Sequence, residues 1–188
     1  MTFKLYTGKG DKGDTGLFGT PDRIPKHDPR LDAIGDVDEL NSFIGITIAA
    51  MDNKFKEVKD LLIKTQNQLF ELGADLATPL SAEGPKIIRI KSSETSDMEK
   101  QIDRIQAELK PITKFVLPGG TSDAARLHYA RAVCRRAERK AVLLSEKEDI
   151  NPESVRFLNR LSSLLFGLAR LVNQRSSVYE TVWESEKP

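Results

Sequence analysis

From residue 30 onward the apolar residues of this chain recur at steps of three and four, and that period narrows the possible folds more than any other property. Leu40, Phe43, Ile44, Ile48 and Met51 predict a helix over about 30–52, and Val58, Leu62, Leu69, Leu72 and Leu76 a second over about 55–77. Thr78-Pro79 stops the second, because the residue before a proline is driven out of the helical region. Ser96 and Glu99 have the spacing of a capping box and open a third helix on Met98, Ile102, Ile105 and Leu109, ended by Pro111. A fourth runs from a cap near Ser122 to about Ser145 on Leu127, Ala130, Cys134, Ala137, Ala141 and Leu144. Asn151-Pro152 pairs a capping residue with a proline at the first helical position, and a fifth helix follows to about Tyr179. The stretch Lys86–Lys91 is the only short strand candidate. The expected fold is therefore all-α, an antiparallel five-helix bundle. A length of 188 residues suggests a single domain, 1–188, with 30–180 as the bundle.

The first 29 residues lack this period. Residues 7–20, TGKGDKGDTGLFGT, hold five glycines, and Pro21, Pro25 and Pro29 follow. Glycine lets backbone N–H groups converge on phosphate oxygens, and Thr7, Thr15, Lys9, Lys12 and Lys26 add donors and charge. No Gly-Lys-Ser/Thr leads into a helix, so this is no Walker loop, and no strand–turn–helix frames it as a dinucleotide fingerprint. It reads equally as an ordered anion loop or as a flexible terminus.

Charge and residue usage remove several function classes. A net charge of +1 gives no general basic field for a nucleic acid, so any anion site must be local. Cys134 is the single cysteine, which leaves no intrachain disulfide and no cysteine metal site. His27 and His128 are the only histidines, and neither lies in a Glu-x-x-His, so a ferritin-like di-metal bundle is not expected. The start Met1-Thr-Phe-Lys-Leu-Tyr6 has no signal-peptide core, and no stretch is long and apolar enough to span a bilayer. Cytoplasmic residence, without membrane or nucleic-acid partners, is the expectation.

Local chemistry concentrates on the fourth helix. Residues 130–139, ARAVCRRAER, carry four arginines and one glutamate. Arg131, Arg135 and Glu138 fall on one face at i, i+4, i+7, with His128 a turn earlier, beside a stripe of alanines. A guanidinium fork matches phosphate geometry at any pH, although arginine–glutamate runs are also common on solvated helices. Asn159 and Arg160 interrupt a leucine-rich helix and, taken alone, read as an exposed face. Asp38 and Glu39 could each pair with an arginine across the bundle. Phe115 sits in a loop bounded by proline and glycine, where an aromatic commonly plugs a core.

In register along the chain, these segments resemble the PduO-type ATP:cob(I)alamin adenosyltransferases. The resemblance lies in 6–19 (YTGKGDKGDTGLFG), 34–42 (IGDVDELNS), 115–139 (FVLPGGTSDAARLHYARAVCRRAER) and 157–170 (FLNRLSSLLFGLAR). It implies a five-helix bundle, a homotrimer, and active sites between subunits that take ATP, Mg2+ and cobalamin. On this chain, Thr7, Gly8, Gly10, Asp11, Gly13 and Thr15 would wrap the triphosphate with help from Lys26. Arg135 and Glu138 would hold ATP and its Mg2+, and Asn159 would reach the nucleotide. Asp38 and Arg131 would pair across the subunit boundary, and Phe115 would lie under the corrin ring. The resemblance departs at Ser163, where the family usually has aspartate; the missing carboxylate removes a charge partner for a nearby arginine. The residues leave room for two other readings, a nucleotide- or corrinoid-binding carrier without turnover and a structural bundle whose arginines bind protein or RNA.

Overall fold

The computed structural model describes residues 5–21, 23–82 and 87–184. Five helices dominate it: α1 (Pro29–Ala50), α2 (Lys56–Ala77), α3 (Ser92–Glu108), α4 (Ser122–Ser145) and α5 (Pro152–Arg175). The α1 helix packs between α2 and α4, while α5 lies against α3 and α4 and also touches α2. Capping side chains set several starts. Asp28 accepts the Arg30 N–H ahead of Pro29, Thr121 accepts that of Ala124, and Asn151 accepts that of Glu153 ahead of Pro152.

The core forms along the expected stripes. Ala33, Val37, Leu40 and Ile44 of α1 meet Leu127, Ala130, Cys134, Ala137 and Ala141 of α4, all buried. The alanines allow close approach of the two axes. The α5 helix buries more than one stripe, with Phe157, Leu158, Leu161, Leu164, Leu165, Leu168, Ala169, Leu171 and Val172 all enclosed, so it is the helix around which the bundle is packed. Each such leucine contributes about 1.5–3 kcal/mol.

Four local expectations are corrected. The third helix begins at Ser92, not Ser96: the Glu94 carboxylate accepts the Lys91 N–H, and Glu99 turns to Arg160 instead of capping. The fifth helix ends at Arg175, four residues before Tyr179, because Ser177 takes a left-handed φ of 56° and the Val178 N–H returns to the Asn173 carbonyl. Residues 87–91 form no strand, and Lys86 of that candidate lies outside the described residues, as do Gly84 and Pro85. The glycine-rich start instead holds a short antiparallel hairpin, β1 (Asp14–Gly16) with β2 (Arg23–Pro25), in which Thr15 faces Ile24.

The connection between α2 and α3 is fixed by a buried carboxylate. Asp75 accepts the Ile90 N–H at 3.0 Å and the Asn151 amide at 2.6 Å, and pairs with Arg89. One side chain thus ties the end of α2, the connection and the cap of α5. Arg30, only 2 % exposed, does the same at the start of α1, donating to the Leu76 carbonyl and to Glu148.

Candidate active site

The glycine-rich segment is an ordered loop. Gly8 and Gly13 adopt φ of 67° and 84°, where a side chain would be strained. Turns close as Asp11 N–H donates to the Gly8 carbonyl and Gly13 N–H to that of Gly10, and Lys26 N–H then bonds the Gly13 carbonyl. Arg23, which sequence reasoning passed over, holds the loop shut by donating to the Lys9 carbonyl (2.8 Å), the Asp14 carbonyl (3.1 Å) and the Asp14 carboxylate. Its guanidinium also holds the Asp14 carboxyl below the usual carboxylate range. The Lys26 ammonium lies over Gly10, about 3.1 Å from where a β-carbon would stand, so lysine charge and loop amides occur together. Thr7, Gly8, Asp11 and Gly13 are exposed, and Gly10 and Thr15 half-buried.

The arginines lie elsewhere on the bundle. A groove of about 600 Å3 runs between α3, α4 and α5. Ile102, Ile105, Leu109, Phe166 and Gly167 give it apolar walls, and Arg131, Arg135, Arg170 and Ser163 give it polar ones. Lys110, Pro111 and Ile112, the start of the Phe115 loop, form its rim. The Arg131 guanidinium stands over the Phe166 ring, 5.5 Å from its centre. Next to this groove, Asn159 donates to one Glu138 oxygen at 2.7 Å, and the other lies 3.9 Å from Arg135. Asn159 therefore faces Glu138 rather than an empty exposed face. Arg136 points round the helix to Asp36 and Glu39 and belongs to the α1–α4 seam. His128, 4 % exposed, lies 5.9 Å from Phe166; burial first, then Arg131, lowers its pKa, with Glu180 opposing. Burial pushes the Cys134 thiol well up, so it is no nucleophile.

Phe115 is not a core plug. It is 80 % exposed, three residues along the chain from Ile112 on the groove rim. Asp38 is exposed on the other side of the bundle, in a second, largely apolar groove of about 560 Å3 with Phe18, Leu31, Ile34, Phe70 and Ala77. The two grooves share no lining residue. Arg131, Arg135, Glu138 and Asn159 are thus brought together, while no hydrogen bond or ion pair among the described residues links them to Asp38 or to the loop of Thr7–Thr15. Arg170 and Phe166 escaped the sequence reading; an arginine within an apolar helix was the available signal for the first, whereas Phe166 resembles any core aromatic.

The family described as Cobalamin adenosyltransferase matches residues 5–172. The chain belongs to the cobalamin adenosyltransferase family. The corrinoid adenosyltransferase of Bacillus subtilis is 41 % identical over 183 residues, covering 96 % of this chain and 92 % of that protein. The human corrinoid adenosyltransferase MMAB is 37 % identical, covering 98 % of this chain and 75 % of its own. Among solved structures, a variant PduO-type ATP:corrinoid adenosyltransferase from Lactobacillus reuteri, complexed with cobalamin and ATP, superposes with a TM-score of 0.93 at 38 % identity over 98 % of each chain. This membership agrees with the helical architecture and with the absence, among the described residues, of any helix long and apolar enough to cross a membrane.

Proposed function

We propose that this chain transfers the 5′-deoxyadenosyl group of ATP to the cobalt of cob(I)alamin, releasing triphosphate and forming adenosylcobalamin. The observation that carries the reading is the arginine-lined, half-apolar groove in a chain that matches the family over residues 5–172. Reduced cobalt is itself a strong nucleophile. The cobalt–carbon bond forms as the C5′–O bond breaks, and the electrons of that bond leave with triphosphate. The protein's part is orientation and charge, which needs no nucleophilic side chain and agrees with the inert Cys134.

Arg135, with a half-exposed side chain on the groove wall, would meet the departing charge. The Gly8 and Gly10 amides, with Thr7, Thr15 and Lys26, form the other half of the triphosphate cradle, on turns closed by the Asp11 and Gly13 N–H groups. Glu138, one oxygen of which accepts from the Asn159 amide, would offer its other carboxylate oxygen to Mg2+ carried in by the triphosphate. When bound there, Mg2+ would neutralise part of the phosphate charge. Phe115, exposed in its loop, would lie under the corrin ring, displace the lower ligand and exclude water, which would make one-electron reduction of Co(II) accessible.

The separation of loop and arginines within one chain supports a homotrimer in which Asp38 of one subunit meets Arg131 of the next. Residence in the cytoplasm, with a reductase and an adenosylcobalamin-dependent acceptor enzyme as partners, completes the reading. The test is incubation with ATP, Mg2+ and chemically reduced cobalamin, following adenosylcobalamin absorbance and triphosphate release; absence of product would return the chain to a carrier or sensor. Arg135→Ala should lower kcat/KM for ATP about 100-fold, since a charge-assisted phosphate contact is worth a few kcal/mol.

A further inference from the structure

The chain after α5 doubles back. Ser177 takes the left-handed turn, and residues 181–183 then run antiparallel to the Phe115 loop. Leu117 N–H donates to the Thr181 carbonyl and Trp183 N–H to the Phe115 carbonyl, each at 2.8 Å, with Val116 opposite Val182. Phe115 is therefore held through its own backbone by a C-terminal strap. The loop has little else to fix it at that end, since residues 111–115 are all exposed.

The strap has one charged, largely buried anchor. Both Glu180 oxygens accept from Arg170 Nε, at 3.1 and 3.0 Å, and the two side chains are only 19 % and 9 % exposed. Arg170 also donates to the Lys110 carbonyl at 2.8 Å, where the Phe115 loop begins. Two isolated ladder hydrogen bonds are a weak hold without such an anchor.

We propose that Glu180 is a positioning residue: by pairing with Arg170 it docks the strap, and the strap sets where the Phe115 ring stands. This rests on the reading of Phe115 given above. A strap that merely stabilised the bundle would affect every step of the reaction alike. One that positions Phe115 affects the route that starts from Co(II) and spares the route that starts from Co(I).

The experiment compares Glu180→Gln, Glu180→Asp, Phe115→Ala and the Gln/Ala double variant, as full chains with ATP and Mg2+. Turnover is measured from Co(II)balamin with a reductant and from pre-reduced cob(I)alamin. Trp183, the only tryptophan and part of the strap, reports docking by its emission. E180Q should slow the Co(II) route about tenfold or more, leave the Co(I) route and the KM for ATP within about twofold, and shift Trp183 emission to the red. E180D should restore most of the Co(II) rate, and E180Q should cost nothing further once Phe115 is alanine. Equal loss on both routes, additive effects in the double variant, or a parental Co(II) rate in E180Q would overturn the proposal. Should F115A itself keep the parental Co(II) rate, the reading of Phe115 falls and takes this proposal with it. An impaired F115A beside an unimpaired E180Q removes the anchor alone.

Discussion

His128 is a small base walled in by a cation, an aromatic ring and the strap. Its neighbours are Arg131 on the same helix, Phe166 on α5 and Glu180 from the C-terminal segment, and its Nδ1 has no partner. Burial, and then the Arg131 charge, lower its pKa from the ordinary 6.5, so the folded state resists protonation more than the unfolded chain does. The stabilisation from this residue is therefore fully present above pH 6.5 and is lost as the pH falls through the depressed folded value. The slope is at most about 1.4 kcal/mol per pH unit. Denaturant titrations at pH 7.5 and 5.5 should show a drop in stability on acidification that His128→Gln reduces; an identical drop in the variant would assign the acid sensitivity to other groups.

At the scale of elements, apolar period and capping residues made the helices legible, and the misreadings have physical reasons. The first turn of α3, Ser92–Thr95, carries no large apolar residue, so the period becomes visible only at Met98. Ser96 and Glu99 mimic a cap inside the helix because Glu99 is recruited by Arg160 from α5, a long-range contact that no local spacing encodes. Three-residue strands in a glycine-rich loop are too short for alternation to register, and their closure depends on Arg23, nine residues from Asp14. The loop ahead of α4 shows how such junctions are held. Gly120 has φ of 100°, and a β-carbon there would run into the Asn173 amide, which is itself fixed by the Thr121 N–H (2.9 Å) and the Gly119 carbonyl (3.0 Å). Gly120→Ala should cost about 2–4 kcal/mol, from backbone strain and loss of this clasp. Calorimetry should record a fall in Tm of about 5–15 °C.

At the scale of the whole molecule, the site residues singled out from the sequence divide between two faces. Phe18 of the glycine-rich segment and Asp38 line the α1–α2 groove, and Arg131 and Arg135 the groove between α3, α4 and α5. Spacing along α4 revealed that Arg131, Arg135 and Glu138 share a face, because that is a property of one helix. Nothing in the spacing could reveal that Asp38 and Arg131 stand on different sides of the bundle, because their separation is set by packing. In a closed ring of identical subunits the loop face of each chain would meet the arginine face of the next, so every site would draw on two chains. That geometry predicts complementation. Asp11→Ala/Lys26→Ala damages only the loop half, and Arg135→Ala only the arginine half. A subunit pair works when the intact loop of one chain faces the intact arginine of its neighbour. In an equal, freely exchanging mixture of the two inactive variants, about one interface in four meets that condition, and activity should recover to about a quarter of the parental value. A site contained within one chain allows no recovery, and a mixture as inactive as its components would reject the shared site.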